Sequence, residues 1–210
     1  VDGGFPVVGF LAKGGVLVIP ILLCSVLALA IFLERAVRFA VLRRRGRHVA
    51  DRVAALVREG KMEAALDAAI KSRSPMGRVL AQGLEVASAD RETLETVLVH
   101  AIEEEVRDLS RYLQALATIG NIAPLLGLLG TVTGMIKAFM AIQELGGKVD
   151  ASILAGGIWE AMLTTALGLI VALPVMVAHS YLTSQVDRYE ARLQDGVVRF
   201  FKSKSMACEG

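Results

Sequence analysis

Cysteine is scarce. The 210-residue chain has two, Cys24 inside an apolar run and Cys208 in the C-terminal tail, which make no disulfide framework and match no metal-ligand spacing. Aromatic residues are 5% of the chain, too few for the interfacial girdles of a membrane β-barrel. An excess of one charge is missing too. The 23 basic and 21 acidic side chains leave a formal charge of +2, which points to no nucleic-acid partner. There is no phosphate loop, nucleophile elbow or zinc-binding HExxH helix. The stretch LLGLLGTVTG is glycine-rich but lacks the Gly-Lys-Ser/Thr ending that a phosphate loop needs. No enzyme, cofactor or metal site is expected.

What the chain has in quantity is apolar length. Hydrophobic residues make up 54% of it, and its mean hydropathy is +0.56. Gly14–Leu33 is uncharged over 20 residues, Leu113–Ile136 has no charge in 24 positions, and Ala151–Ala178 has one, Glu160. About 20 residues at roughly 1.5 Å each cross a bilayer core, so all three runs are long enough. An all-α integral membrane protein with three transmembrane helices is predicted. The first run also admits a signal-peptide reading, with Ala28 and Ala30 as a small-residue cleavage pattern. Signal peptides carry their positive charge ahead of the apolar region, whereas here the arginines follow it, which favours a retained helix.

Those arginines orient the chain. Glu34–Arg58 holds eight arginines and two acids, whereas residues 1–13 hold one charge of each sign. The turn at 143–150 has Lys148 against Glu144 and Asp150. Positive residues stay on the cytoplasmic side, so the N-terminus is expected outside. The layout is then a periplasmic N-terminus (1–13), a first span (14–33), a cytoplasmic helical domain (34–112) and a second span (113–142). A periplasmic turn (143–150), a third span (151–180) and a cytoplasmic C-terminal helix or tail (181–210) complete it. Arg188, Arg192, Arg199, Lys202 and Lys204 in that tail agree.

Within 34–112 the apolar residues keep helical spacing. Val49, Val53, Leu56 and Val57 form one stripe, and Met62, Ala65, Leu66, Ala69 and Ile70 form another after Gly60. Pro75 and Gly77 interrupt the pattern at Ser72–Gly77. Ser88 or Asp90 can then cap a new helix with Glu92 and Glu95 in its first turns. No glycine or proline occurs from there to Leu113, and the spacing predicts one long helix continuing into the second span. Glu103–Glu105 reads as a solvated face, pairing with the arginines after the first span. A metal site with His100 is disfavoured, because adjacent helical residues point in different directions.

Small residues punctuate the second and third spans. Gly127, Gly130 and Gly134, with Gly168 on the third, are expected to let the helices approach closely, and Pro124 removes one backbone donor. Oligomerisation follows readily from such faces. An ionisable group at the membrane centre costs at least about 2.5–3.5 kcal/mol, so Glu160 is expected to face a polar interior or an ion pathway. The other reading is an acid that only bonds a neighbouring helix. Counted from the outer end at roughly 1.5 Å per residue, Glu160 lies about 14 Å in, Thr131 about 16 Å and Thr165 about 21 Å. Thr131, Glu160, Thr164 and Thr165 are therefore expected to form a polar ladder at mid-membrane, although each threonine alone can simply bond its own helix. Lys137 is read as snorkelling toward water; His179 and Trp159 are read as interfacial or packing residues.

The two motifs NIAPLLGLLGTVTGMI (121–136) and GIWEAMLTTALGL (157–169), in that order on successive helices, resemble the MotA/TolQ/ExbB proton-channel family. The match covers about residues 113–180. Length and three spans resemble the ExbB and TolQ branches, ExbB foremost, whereas MotA-type subunits have four. The resemblance implies a homopentamer in the bacterial inner membrane, with the second and third helices lining a pore. A single-span partner like ExbD or TolR would bring a membrane aspartate, and a TonB- or TolA-like protein would receive the work. Thr131 and Thr165 would be the pore-facing hydroxyls, Glu160 the acid of the third helix, and protons the coupling ion. An ExbB-like role is energising TonB-dependent transport across the outer membrane; a TolQ-like role is envelope integrity. A non-conducting scaffold and a secondary transporter are the competing classes, the latter weakened by three spans and no internal repeat.

Overall fold

Helical period, not strand alternation, runs through the described residues of the computed structural model, which are 16–45, 48–144 and 151–208. They form α1 (Val18–Arg45), α2 (Val49–Arg58), α3 (Met62–Lys71), α4 (Pro75–Glu85), α5 (Arg91–Ser110), α6 (Leu113–Glu144) and α7 (Ala151–Cys208). Three stretches, in α1, in α5–α6 and in α7, are long and apolar enough to cross a membrane. The expected N-terminal segment 1–13, the residues 145–150 of the turn, and Arg47 lie outside the described residues. The chain divides into two units at Leu33/Glu34, Arg111/Tyr112 and Ser180/Tyr181.

In the membrane unit the buried positions are mostly small. Gly120, Ala123, Gly127, Gly130, Gly134 and Ala138 are the buried face of α6, and Ala161, Thr164, Gly168 and Ala172 lie buried on α7. The large side chains Leu125, Leu128, Val132, Met162, Ile170 and Leu173 point outward. Lipid is as apolar as leucine, so helices gain little by hiding leucines from it and associate through close backbone packing instead.

The helical unit follows the rule for water. Val53 and Val57 of α2, Ala65 and Ala69 of α3, Leu80 of α4, Leu94, Leu98 and Leu109 of α5, and Leu182, Leu193 and Phe200 of α7 form its core. Fully burying a Val, Leu or Phe side chain stabilises by about 1.5–3 kcal/mol. Consecutive helices from α2 to α5 pack on one another, and α2 also meets α4. Their boundaries follow the sequence. Gly60, at φ 73°, turns the chain between α2 and α3. The Ser74 hydroxyl accepts from Gly77 N at 3.1 Å and caps α4, with Pro75 in its first turn. Asp90 caps α5, accepting from Thr93 N at 3.0 Å.

Two expectations need correction. The long helix is broken: α5 ends at Ser110, Arg111 is extended (ψ 135°), and Tyr112 takes φ 68° before α6 starts. The break is held by Arg35, a buried side chain whose guanidinium donates to Asp108 O at 3.2 Å and Leu109 O at 3.5 Å. A cation on the last carbonyls of a helix satisfies acceptors left without helical partners and complements the helix dipole. Glu34 Oε2 lies 2.8 Å from Arg35 Nε as an ion-pair contact out of hydrogen-bond alignment. The second correction concerns Glu105, which is not solvated. Only Glu103 and Glu104 face solvent, while Glu105 lies buried on the core stripe of Leu94, Leu98, Ala101, Ile102 and Leu109. Its partner is Arg78 of α4, bidentate at 2.5 Å, and not an arginine after the first span. That cluster pairs elsewhere, through Arg38 and Asp108. Burial pushes the nearby Tyr189 phenol above its ordinary value, and the Glu105 charge adds to the shift.

Candidate functional site

The inner helix pair of the membrane unit is antiparallel, with small residues opposite each other along its length. A Cβ placed on Gly130 would stand 2.1 Å from Thr164 Oγ1, and one on Gly168 would stand 2.6 Å from Ala123 O. At Gly127 the nearest atoms are Thr164 O and Thr165 Cα, both 3.0 Å away; at Gly134 it is Ala161 Cβ, also 3.0 Å. Only hydrogen fits at Gly130 and Gly168. Pro124 sits inside α6, which continues through it unbroken.

Close approach brings hydroxyls to backbone. Thr165 Oγ1 donates across the pair to Gly127 O at 3.0 Å, so a half-buried side chain of α7 is tied to α6. Thr164 is buried against Gly130, and its hydroxyl donates back to Ala161 O at 2.7 Å. Thr131 is half-buried and donates to Leu128 O of its own helix at 2.6 Å. Thr133 shares its hydroxyl between Leu129 O at 3.0 Å and Gly130 O at 3.1 Å. Of the expected ladder, α7 thus presents Thr165 and Thr164 to α6, while Thr131 makes no hydrogen bond across the pair.

Glu160 finds a partner that the sequence reading left to water. Lys137 Nζ of α6 lies 2.8 Å from Glu160 Oε1 of α7, with side-chain exposures of 58% and 26% in the single chain. Each charge alone would be costly inside an apolar segment; together they offset much of that cost. The signal was available. In an antiparallel hairpin Gly134 meets Ala161 and Ala138 meets Gly157, a register that brings the Lys137 turn alongside Glu160. The flexible four-carbon lysine stem covers the remaining offset.

This arrangement pairs the two charges with each other and ties the Thr164 and Thr165 hydroxyls to backbone carbonyls of the helix pair. The pair thus carries a carboxylate, an ammonium and threonine hydroxyls in segments otherwise apolar. The sequence model of the MotA/TolQ/ExbB proton channel family matches residues 71–195, more than half of the chain. The chain is 30% identical over 184 residues to the biopolymer transport protein ExbB-like 3 of Synechocystis sp., covering 87% of each. It is 32% identical over 189 residues to the biopolymer transport protein ExbB of Salmonella typhimurium, covering 84% of this chain and 75% of that one. With an ExbB homolog of Methanothermobacter thermautotrophicus it shares 35% over 115 residues, 55% of this chain and 40% of that protein. A multi-pass chain with this glycine-lined helix pair, carrying Glu160, Thr164 and Thr165 in its second motif, belongs to the MotA/TolQ/ExbB proton channel family.

Proposed function

We propose that the chain is an ExbB-like subunit that couples proton flow across the bacterial inner membrane to work on the outer membrane. It acts as a homopentamer with its N-terminus periplasmic, around a single-span ExbD-like partner that carries a membrane aspartate. The load is a TonB-like protein. The observation that carries the reading is the ion pair of Lys137 and Glu160, set beside the hydroxyls of Thr131, Thr164 and Thr165 in segments otherwise apolar.

In this reading α6 and α7 line the pore. Thr131 and Thr165 offer oxygens to the proton-carrying aspartate of the partner as it passes, and Glu160 holds a fixed place through Lys137. Thr164, locked against Gly130, sets the separation of the two helices. One elementary charge crossing the membrane releases about 2.3 kcal/mol per 100 mV, enough to bias a rotation of one component within the other.

The test is proton flux into liposomes bearing the complex purified from native membranes, read by an entrapped pH-sensitive dye under an imposed potential. Thr131→Val and Thr165→Val are expected to keep the oligomer mass and lower flux by about tenfold or more, since each removes a polar group worth roughly 1–2 kcal/mol to a charge. Glu160→Gln is expected to stop it. Wild-type flux in all three variants would overturn the assignment.

A further inference from the structure

The two inner helices carry one side chain of each charge. From Leu113 to Gln143 the only charged residue is Lys137, and from Ala151 to Ala178 it is Glu160. They meet across the pair, Nζ to Oε1 at 2.8 Å. No hydroxyl competes for the carboxylate. Thr118, Thr131, Thr133, Thr164 and Thr165 each donate their single hydroxyl proton to a backbone carbonyl. The ammonium is thus the side-chain donor that Glu160 has among the described residues. Nor is the pair sealed in the glycine seam. Gly134, Ala138 and Ala161 around it are buried, whereas 58% of the lysine and 26% of the glutamate side chain stay open in the single chain. The two charges therefore lie on an uncovered flank of α6 and α7.

Coulomb's law says what the lysine changes. A lone carboxylate in apolar surroundings acts on small cations over a long range, because little water screens it. Repeated once per subunit around a closed ring, it makes the ring of acids that cation channels use, just as a ring of lysines suits anions. The pair is neither. Its ammonium occupies a place beside the carboxylate that a free monovalent cation would take, and the field of two opposed charges 2.8 Å apart falls off far more steeply than that of one. A proton carried on the carboxyl group of a moving partner crosses as a neutral group, which a neutral pair does not hold back.

We propose that Lys137 sets the ion specificity of the pathway, cancelling the charge of Glu160 so that sodium and potassium ions are refused. It is a positioning residue that acts through Glu160 and does not handle the moving proton. This role rests on the pore lining by α6 and α7 proposed above.

The test uses the complex purified from native membranes and reconstituted into liposomes, with sodium outside, a negative potential inside, and an entrapped pH-sensitive or sodium-sensitive dye. Wild type is expected to admit protons and no more sodium than protein-free liposomes. Lys137→Met is expected to raise sodium entry about tenfold or more, the gain that a site of one sign gives its counter-ions. Lys137→Gln keeps a donor for Glu160 but not the charge; it is expected to leak equally and carries the test should the methionine variant lose the wild-type oligomer mass. Lys137→Arg keeps the charge and is expected to stay sodium-tight. Lys137→Met/Glu160→Gln removes both charges and is expected to close the leak again. Sodium entry through wild type, or none through either uncharged variant, would overturn the proposal. An equal leak in Lys137→Arg or a persisting one in the double variant would overturn it too, by tracing the leak to packing. A wild type tight to protons would instead sink the conducting reading, and a sodium leak in Lys137→Met that Glu160→Gln closes would still uphold the role of Lys137.

Discussion

The two units hold their helices together by opposite means. In the helical unit, branched side chains such as Leu80, Leu94, Leu98 and Leu193 fill the space between helices, and the arginines of the polar contacts stay open to solvent, Arg78 on the buried Glu105 and Arg199 on the exposed Asp51. In the membrane unit, the space between α6 and α7 is nearly abolished, because glycine at 127, 130, 134 and 168 lets backbone meet backbone or hydroxyl. The difference follows from the surroundings. Water drives leucines together at about 25 cal/mol per Å² buried, whereas lipid gives them no such reason, and contact must come from dispersion and hydrogen bonds at short range.

The contrast is broken most completely by adding atoms to the seam. Gly130→Leu is expected to prevent α6 and α7 from pairing and to eliminate the assembled species, a loss beyond the roughly 1–3 kcal/mol of ordinary overpacking. Size-exclusion chromatography of the full-length chain in mild detergent reads this; a wild-type profile would show that close approach is dispensable. The opposite change tests the other unit. Leu98→Ala removes a fully buried leucine and is expected to cost about 2–5 kcal/mol in thermal or denaturant unfolding followed by circular dichroism. Because Leu98 Cδ2 stands 2.6 Å from where a Cβ on Gly83 would lie, Gly83→Ala is expected to become harmless in that background.

Smaller effects sharpen the account of the polar contacts. Arg78→Ala leaves Glu105 buried without its bidentate donor and is expected to cost about 1–3 kcal/mol. That is less than a wholly buried pair would lose, because half of Arg78 is open to solvent. Adding Glu105→Leu should recover most of it in the same unfolding assay. Smallest is the pH effect at Tyr189. Its phenol is held above the ordinary value of 10.0 by burial and then by the Glu105 charge. The folded state therefore keeps a proton that the unfolded chain releases, so this contribution is intact below about pH 10 and is lost as pH rises through the higher folded value. Tyr189→Phe is expected to flatten that alkaline decline, by about 1–2 °C in melting temperature between pH 9 and 11.

Much of this was legible in the residues and some was not. Apolar runs revealed three helices long and apolar enough to cross a membrane, because length and lack of charge are local properties. Family membership followed from two motifs that stand in order on α6 and α7. The break at Arg111–Tyr112 escaped notice because nothing there has the composition of a turn. It is imposed by the distant Arg35 cap and by a tyrosine in the left-handed region, where non-glycine residues are uncommon. Glu105 was misread by its company: three successive glutamates suggest a solvated face, yet only one sits in register with Leu98, Ile102 and Leu109. Lys137 was assigned to water because its depth was counted along its own helix, without asking what the facing helix carries at that level. The error in each case lies between segments.

The glycine seam also bears on how this protein can change over generations. Glycine has no smaller neighbour in the genetic code, so every replacement at Gly130 or Gly168 adds atoms where the facing chain leaves room for a hydrogen. A leucine core drifts in both directions, losing a methyl at one site and regaining it at another. The α6–α7 contact can move in one direction only, and that direction is closed unless the facing residue shrinks in the same step. Thr164, opposite Gly130, is the side chain that would have to give way first.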